Sequence, residues 1–297
     1  MINNIFNFFR AKYTKSKTLD MWLIEFQFIL INKGLKKHTL DNKNSLIKII
    51  SARLGKKNIQ KISTFELAGI INEYVKRGTN SAAKSMYQIL KEIFREAYFN
   101  GWVKIDPTIP LKCPRTPVKR SRLTFDEFEK ILNHAKKSRK RYIYQALILA
   151  LVTGQRRSDI VSIKRSDIQD KYLFIEQYKT GAKIALPLDL YCEKINVTLE
   201  HVINNICTGK KYLIEKNNKQ VKLFELTQSF ARFRDIVFFE SDYWDGAPPS
   251  FHEIRSLSER LYRHQGVDTM ILLGHKSQQM TDKYNDSRGR EWRYLRI

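Results

Sequence analysis

Four prolines within eleven residues constrain most strongly how this chain of 297 residues can fold. They are Pro107, Pro110, Pro114 and Pro117, and they lie between two stretches with helical periodicity. Because proline cannot continue a helix and biases the residue before it towards extended backbone, this segment must be irregular. The chain is long enough for two domains, each with its own core. We therefore expect two domains joined by a linker at residues 103–122.

The part before the prolines predicts a small all-helical domain over residues 18–102. Leu19, Trp22, Leu23 and Phe26 recur at the spacing of one buried helix face. Further helical patterns cover Thr39 to Leu54, Phe65 to Arg77 and Ser81 to Asn100. Residues 1–17 form a short N-terminal segment without the charged region and cleavage site of a signal peptide.

Residues 123–297 predict a second, larger domain that is again mainly helical. Thr124 and Glu127 form a capping-box pattern before an amphipathic helix. One β-hairpin interrupts the helices, with strands at Tyr172 to Tyr178 and Lys183 to Leu188. The other helical patterns are Arg141 to Val152, Asp189 to Ile206, Thr227 to Phe238, Ser250 to His264 and Asp268 to Leu273. The expected fold class is mainly α with a small β-hairpin, or α+β, with a polar tail at about 285–297.

The charge balance predicts a polyanionic partner. The chain has 54 Lys and Arg against 30 Asp and Glu, a formal net charge of +24. With 42% hydrophobic residues, the composition indicates packed domains rather than basic tails. Nucleic acid is therefore the expected partner of the positive charge. The basic residues of the linker are candidates for phosphate contact, although a solvated charge run is the alternative. They are Lys112, Arg115, Lys119, Arg120 and Arg122.

Cysteine usage and hydropathy indicate a protein of a reducing cytoplasm. Cys113, Cys192 and Cys207 have no metal-ligand spacing and suggest no disulfide framework. No uncharged stretch approaches the ~20 residues of a membrane span. We therefore expect a soluble protein without a metal or other cofactor.

Four short segments of the second domain combine polar residues with apolar flanks. Arg156 follows a glycine turn, where a fixed guanidinium can hold a phosphate; a structural ion pair with Asp159 is the alternative. Lys179 and Lys183 flank the hairpin turn, where lysines are often only solubilising, but in a DNA enzyme a hairpin lysine can protonate a leaving oxygen or, as expected of Lys183, contact DNA. The two remaining segments contain His252 with Arg255, three apart on one helix face, and His275 with Tyr284, nine residues later.

In this order the segments resemble the active-site set of the tyrosine recombinases, in particular the lambda-type phage integrases. The resemblance extends beyond these positions to the runs TGQRRSDIVSIKRSDI, EQYKTGAKIALP, FHEIRSLSERLY and LLGHKS through KYNDSRGREW. It covers the chain from about residue 18 to the C-terminus. The N-terminal arm-binding domain of that branch is expected to be absent, since only about 17 residues precede the first helix.

The resemblance implies a chemical role for each matching residue. Tyr284 would attack the scissile phosphate and form a 3′-phosphotyrosine, which stores the bond energy, so that no ATP is needed. Arg156 and Arg255 would stabilise the charge of the pentavalent transition state. His275 would donate a further hydrogen bond to the phosphate.

The same resemblance implies the proton transfers and the supporting contacts. Lys179 would protonate the leaving 5′-oxygen, and His252 would assist proton transfer at the tyrosine. Asp159 would support Arg156, and the cationic side chains would do the electrostatic task of a metal ion, so no metal is implied. Tyr294 is the next candidate nucleophile, but it lies too far beyond His275 for the family pattern.

The resemblance also implies an assembly on double-stranded DNA attachment sites in a bacterial host cytoplasm, associated with the nucleoid. The two domains would form a C-shaped clamp, and four protomers would pair two sites. The tail at about 285–297 would dock on a neighbouring protomer, and accessory proteins could bend the DNA. Three alternatives stay open: a type IB topoisomerase, a catalytically inactive DNA-binding regulator with this fold, and an RNA-binding protein.

Overall fold

The computed structural model describes residues 17–117, 120–240 and 242–285. Backbone contacts divide the chain into two compact units, Met1–Pro117 and Val118–Ile297. The first unit is all-helical, and the second adds small antiparallel sheets to its helices, which confirms the expected α+β class. None of the helices in the described ranges is both long and apolar enough to cross a membrane.

Where limits were predicted, the helices of the first unit begin and end within two residues of them. They are α1 (Leu19–Asn32), α2 (Lys37–Leu54), α3 (Thr64–Lys76) and α4 (Asn80–Phe99), with a 3-10 turn at Ile59–Lys61. Their common core contains Trp22, Phe26 and Phe94, all without exposed surface. The buried indole Nε1 of Trp22 donates to the carbonyl of Ile93 at 3.0 Å, so its polar atom is satisfied.

The segment predicted as a linker does not stand apart from the two units. Val103 and Thr108 are buried, and Leu111 packs against the core of the first unit. At the other end, Arg122 and Leu123 are buried in the second unit. The predicted division into residues 18–102, 103–122 and 123–297 therefore stays a prediction, with packing on both sides of the prolines.

The helices of the second unit surround one that is apolar on all sides. They are α5 (Phe125–Lys137), α6 (Arg141–Thr153), α7 (Arg157–Ile160), α8 (Leu199–His201, continued by a π turn at Val202–Ile206), α9 (Leu223–Val237), α10 (Glu253–His264), α11 (Thr269–Leu273) and α12 (Gln278–Asn285). Helix α6 is buried over nearly its whole length because Ala146 to Val152 is an unbroken apolar run. Helices α5, α9 and α10 all pack against it.

Within the described ranges the strands form three antiparallel sheets, of which the first carries the predicted hairpin. They are β1 (Ile168–Gln169), β2 (Tyr172–Glu176), β3 (Lys183–Pro187), β4 (Tyr191–Cys192), β5 (Val197–Thr198), β6 (Glu215–Lys216) and β7 (Lys219–Gln220). In the sheet β1–β2–β3, Ile175 faces Ile184 and Glu176 faces Lys183. Leu173 and Ile175 point inward with the period of two that a half-buried strand requires.

The helix predicted over Asp189 to Ile206 is wrong for its first half. Tyr191 and Cys192 pair with Thr198 and Val197 in a two-stranded sheet, and only residues from Leu199 onward are helical. Asn196 has φ 52° and makes the reversal between the strands, a conformation that asparagine tolerates better than most residues. The first apolar residues of this stretch therefore lie in a small sheet and its turn, and only the later ones lie in a helix.

Helix α10 is unusual because its buried face carries charge. Glu253, Arg255 and Glu259 are each less than 5% exposed, and two buried serines lie beside them. Burying charged groups is unfavourable unless each is paired or hydrogen-bonded, so such a helix indicates either a structural network or a site.

Candidate active site

The candidate residues of the second unit lie in two tight turns, on the β2–β3 hairpin, at the start of helix α10 and in helix α12. Gly154 ends α6 with φ 64°, and Gly274 ends α11 with φ 60°, both left-handed. A Cβ on Gly154 would lie 3.0 Å from Cδ2 of Leu273, so glycine also permits the close approach of the two turns. This approach brings the segments of Arg156 and His275 together.

Arg255 is the buried centre of the site, with 1% of its surface exposed. Its Nη1 donates to the carbonyl of Gly154 at 2.7 Å, and its Nη2 donates to the carbonyl of Leu273 at 2.5 Å. Burial, and then the positive charge of Arg156, lower the pKa of Arg255 to about 10, so it stays protonated at neutral pH. Among the described residues no carboxylate lies within 4 Å of its guanidinium nitrogens. A buried cation held by carbonyls favours a bound anion.

His275 contacts Arg255, and this contact fixes its tautomer. Nη2 of Arg255 lies 3.1 Å from Nε2 of His275, and because a guanidinium only donates, Nε2 must accept. The proton is then on Nδ1, which donates to Oγ1 of Thr281 at 3.0 Å. Burial, and then Arg255 and Arg156, lower the pKa of His275 to about 4. To donate to a phosphate, Nε2 would have to gain a proton, by protonation of the ring or by a change of tautomer, and also leave Arg255.

Tyr284 lies against both histidines. Its hydroxyl is 3.3 Å from Nε2 of His252, and its ring centroid is 5.1 Å from that of His275. The guanidinium carbon of Arg255 lies 5.6 Å from the centre of the same ring. The nucleophile predicted from the sequence therefore sits within hydrogen-bond range of the predicted proton-transfer residue.

The His252 ring lies in a positively charged environment. Although the residue keeps an exposed edge, crowding by protein atoms, followed by the charges of Arg255 and Arg156, lower the pKa of His252 to about 4. Lys179 adds to this effect. His252 is therefore neutral at pH 7 and able to accept a proton from a phenol.

Arg156 joins the site through an amide rather than a carboxylate. Its Nη1 donates to Oε1 of Gln177 at 2.6 Å. Asp159, expected to support Arg156, instead accepts from the backbone N–H of Tyr178 at 3.0 Å. That hydrogen bond fastens α7 to the hairpin just before Lys179. In the described part of the chain, no ion pair joins Arg156 and Asp159.

The remaining predicted contact residues have different surroundings. Lys179 and Lys183 are exposed at the hairpin, and Lys112, Arg115 and Arg120 are exposed on either side of the last two prolines. Lys119 lies outside the described residues, as do Tyr294 and the tail from residue 286. Among the described residues, no group of three or more His, Cys, Asp or Glu side chains is placed to hold a metal ion.

Arg122 is buried, unlike the exposed position expected of a linker residue that contacts phosphate. Its Nη1 donates to Oε2 of Glu253 at 3.2 Å and to Oγ of Ser256 at 2.8 Å. Its Nη2 donates to the carbonyl of Lys283 at 2.7 Å, one residue before the tyrosine. Arg122 thus ties α12 to α10.

Three residues that hold the site together were not among those predicted from the sequence: Gln155, Gln177 and Thr281. Gln177 continues the inward-facing set of Leu173 and Ile175, so a polar residue at this position was a detectable signal. Thr281 lies three residues before Tyr284, on the same helix side, but a lone threonine carries no comparable signal.

Comparisons with known proteins cover nearly the whole chain. The model of the phage integrase family matches residues 121–291, and that of the phage integrase central domain matches residues 32–113. The chain is 38% identical over 293 residues to the integrase of Escherichia phage HK022, covering 97% of this chain and 81% of that protein. It is 36% identical to the integrase of Escherichia phage lambda, with the same coverage.

Solved structures agree with these relatives. A lambda integrase dimer bound to a COC′ core site superposes with a TM-score of 0.87 at 36% identity, over 97% of this chain and 83% of that one. A lambda integrase tetramer bound to a Holliday junction gives 0.87 at 36% identity, over 97% and 82%. The fold and these similarities define a DNA-binding strand-exchange enzyme, a site-specific tyrosine recombinase. The chain belongs to the phage integrase family.

Proposed function

We propose that the chain integrates and excises phage or other mobile DNA by cutting and rejoining strands with Tyr284. The tyrosine oxygen attacks the scissile phosphorus, a bond from phosphorus to that oxygen forms, and the bond to the 5′-oxygen breaks. The product is a 3′-phosphotyrosine and a free 5′-hydroxyl. The 5′-hydroxyl of a second strand then attacks the same phosphorus and releases the tyrosine.

The proton transfers follow from the surroundings of each group. His252, neutral at pH 7, accepts the phenolic proton of Tyr284 across the 3.3 Å contact. Lys179 donates a proton to the 5′-oxygen as it leaves. Arg156 and Arg255 bind the non-bridging oxygens and stabilise the charge that grows in the transition state. His275 adds a hydrogen bond once the phosphate raises its pKa.

A single observation carries this proposal: the hydroxyl of Tyr284 touches a neutral histidine beside a buried guanidinium whose partners among the described residues are carbonyls, an imidazole and the tyrosine itself. Such a site is electrostatically incomplete without an anion. A phosphodiester supplies the missing charge and places phosphorus next to the nucleophile.

The relatives support a proposal for the assembly. Lambda integrase has been crystallised as a dimer on a core site and as a tetramer on a Holliday junction. We infer that this chain also forms a homotetramer on two paired sites in the bacterial cytoplasm. The tail at about 285–297 would couple the protomers, and DNA-bending accessory proteins would assist. Removing residues 287–297 should abolish strand exchange between sites but leave single-site binding, as measured by gel shift.

The chemistry can be tested without knowledge of the attachment sequence. Supercoiled plasmid is incubated in EDTA with the wild-type protein and with Tyr284→Phe, and relaxation and SDS-stable protein–DNA adducts are measured. We expect both signals from the wild type and neither from the variant. Binding by the wild type without any adduct, also on nicked DNA that traps the intermediate, would instead favour an inactive DNA-binding regulator.

A further inference from the structure

Gln177 is a fully buried amide whose hydrogen-bonding capacity is completely used. It follows strand β2, has no exposed surface, and faces inward. Its Oε1 accepts from Nη1 of Arg156 at 2.6 Å and from Oγ1 of Thr180 at 2.8 Å. Its Nε2 donates to Oε1 of Gln155 at 2.7 Å and to the carbonyl of Leu273 at 2.9 Å. Two donors and two acceptors match the amide's full inventory.

The orientation of this amide follows from its partners. A guanidinium has only donors, so the atom facing Arg156 must be the amide oxygen. The nitrogen then faces the carbonyl of Leu273, which also accepts from Arg255 at 2.5 Å. The two arginines of the site are therefore linked through Gln177 and one backbone carbonyl.

Gln177 also closes the hairpin turn that carries Lys179. Its backbone N–H donates to the carbonyl of Ala182 at 2.8 Å, and its carbonyl accepts from Gly181 at 2.8 Å. The hydroxyl of Thr180, inside the turn, donates to the side chain of the same residue. One residue thus fixes Arg156, the lysine turn and the turn before His275 relative to each other.

The neutrality of Gln177 matters because of the charge it orients. A carboxylate at this distance would hold Arg156 equally well. Its negative charge would, however, neutralise the positive charge of Arg156 that binds the phosphate. The amide oxygen of Gln177 orients the guanidinium of Arg156 without neutralising its charge. After burial and the charge of Arg255, the positive charge of Arg156 is the third contribution that lowers the pKa values of His252 and His275.

We propose that Gln177 is a positioning residue that orients Arg156 while leaving its charge uncompensated for the scissile phosphate. This inference rests on the proposed function, because it takes Arg156 as a phosphate ligand. The amide-to-carboxylate change is therefore more harmful to the reaction than loss of the polar group. Contact with Thr180 extends the same effect to the position of Lys179.

The test compares Gln177→Glu, which keeps the shape and adds charge, with Gln177→Met, which keeps the length and loses the polar group. Gln145→Glu is the matched control, because Gln145 is also buried and hydrogen-bonded, to Ile206 and Thr208. For each variant we measure adduct formation on supercoiled plasmid, equilibrium binding to the same plasmid, and thermal unfolding. A positioning role predicts a loss of rate with little change in binding.

We expect Gln177→Glu to slow adduct formation by about 10²–10³-fold, comparable to the loss of one transition-state donor, and Gln177→Met by about tenfold. Plasmid binding should stay within about twofold of wild type in both. Equal rates for Gln177→Glu and wild type, or a greater loss in Gln177→Met, would overturn the inference. So would an equal loss in Gln145→Glu, since that would reflect burial of a carboxylate anywhere in the unit.

Two further outcomes are also decisive. Should Gln177→Glu fail to fold, Gln177→Met decides alone, and a wild-type rate in that variant refutes the positioning role. If the wild-type protein itself forms no adduct, the proposed function fails. If the wild type forms adducts and the Gln177 variants form them at the same rate, only the role of Gln177 is refuted.

Discussion

At the scale of residues, the site works by concentrating positive charge where the protein provides little negative charge to balance it. Arg255 is buried among carbonyls, and His252 and His275 both have pKa values lowered to about 4. Because both imidazoles stay neutral at pH 7, His252 can accept a proton and His275 can accept a hydrogen bond. This balance changes when a phosphate binds, because its negative charge raises the pKa of His275 and lets that ring become a donor.

The pKa of His275 predicts how acid affects stability. The folded-state pKa of about 4 lies below the ordinary value of 6.5, so the unfolded chain binds the extra proton first. The stabilisation is therefore complete well above pH 6.5 and is lost as the pH falls towards 4. Between pH 6.5 and 4.5 we expect His275 to account for about 2 kcal/mol of lost unfolding free energy.

The measurement compares urea unfolding of the wild type with that of His275→Asn across this pH range. The variant should show a shallower decline, since its amide does not titrate. Parallel curves for the two proteins would mean that His275 keeps an ordinary pKa in the folded state.

The buried position of Arg122 predicts a role in holding the tyrosine helix. Arg122→Ala breaks its ion pair with Glu253 and removes the donor to the carbonyl of Lys283. We expect a loss of about 3–5 kcal/mol in unfolding free energy, as for other buried pairs that lose one partner. Arg53→Ala, which breaks the exposed pair with Glu73, should cost at most about 1 kcal/mol.

A double variant separates stability from positioning. Arg122→Met with Glu253→Gln removes both charges and should recover most of the lost stability, because the buried pair is replaced by neutral groups. It should not recover adduct formation on plasmid, since the carbonyl of Lys283 still lacks the Arg122 donor. Recovery of both properties together would show that Arg122 serves stability alone.

At the scale of elements, much of the fold follows from hydrophobic period and turn chemistry. Helices α2, α3, α4 and α6 and the hairpin β2–β3 lie close to their predicted limits, because each buries a regular apolar face. Helix α12 was missed, since Thr281 is its one buried side chain among those described and most of its other residues are polar. The strands β6 and β7 were missed although Asn217 and Asn218, both at positive φ, mark a tight turn.

The candidate site was predictable in its charged residues but not in the contacts between them. The order and spacing of Arg156, His252, Arg255, His275 and Tyr284 pointed to one reaction. The partner of Arg156, however, depends on how the hairpin approaches α6, which local sequence patterns do not specify. For the same reason Asp159 was assigned to Arg156, although it bonds to the backbone of Tyr178.

The hairpin as an element predicts different effects for its two lysines. Lys179 follows the backbone N–H that Asp159 holds, whereas Lys183 lies across the turn, opposite Glu176. Lys179→Ala should slow adduct formation by about 10²–10⁴-fold, the usual contribution of a general acid. Lys183→Ala is the matched control and should change the rate by less than about tenfold. The test measures single-turnover rates of adduct formation on supercoiled plasmid. Similar losses in both variants would mean that Lys179 is not the residue that transfers the proton.

At the scale of the whole molecule, a formal net charge of +24 predicts that binding is driven largely by the phosphate backbone. The logarithm of the association constant should fall linearly with that of the salt concentration, with a slope of about −0.9 for each phosphate neutralised. Removing one exposed contact, as in Arg120→Gln, should reduce the slope by about 0.9. Lys216→Gln is the control, because Lys216 is paired with Glu225. An unchanged slope in Arg120→Gln would remove Arg120 from the phosphate contacts.

Covalent catalysis by Tyr284 can be tested by locating the bond between protein and DNA. Wild-type protein is trapped on nicked DNA in SDS, the adduct is digested with nuclease and protease, and the peptide that carries a nucleotide is sequenced by mass spectrometry. We expect a phosphodiester linkage to Tyr284, through a 3′-phosphate. A nucleotide attached to Tyr294, or to any other side chain, would contradict it.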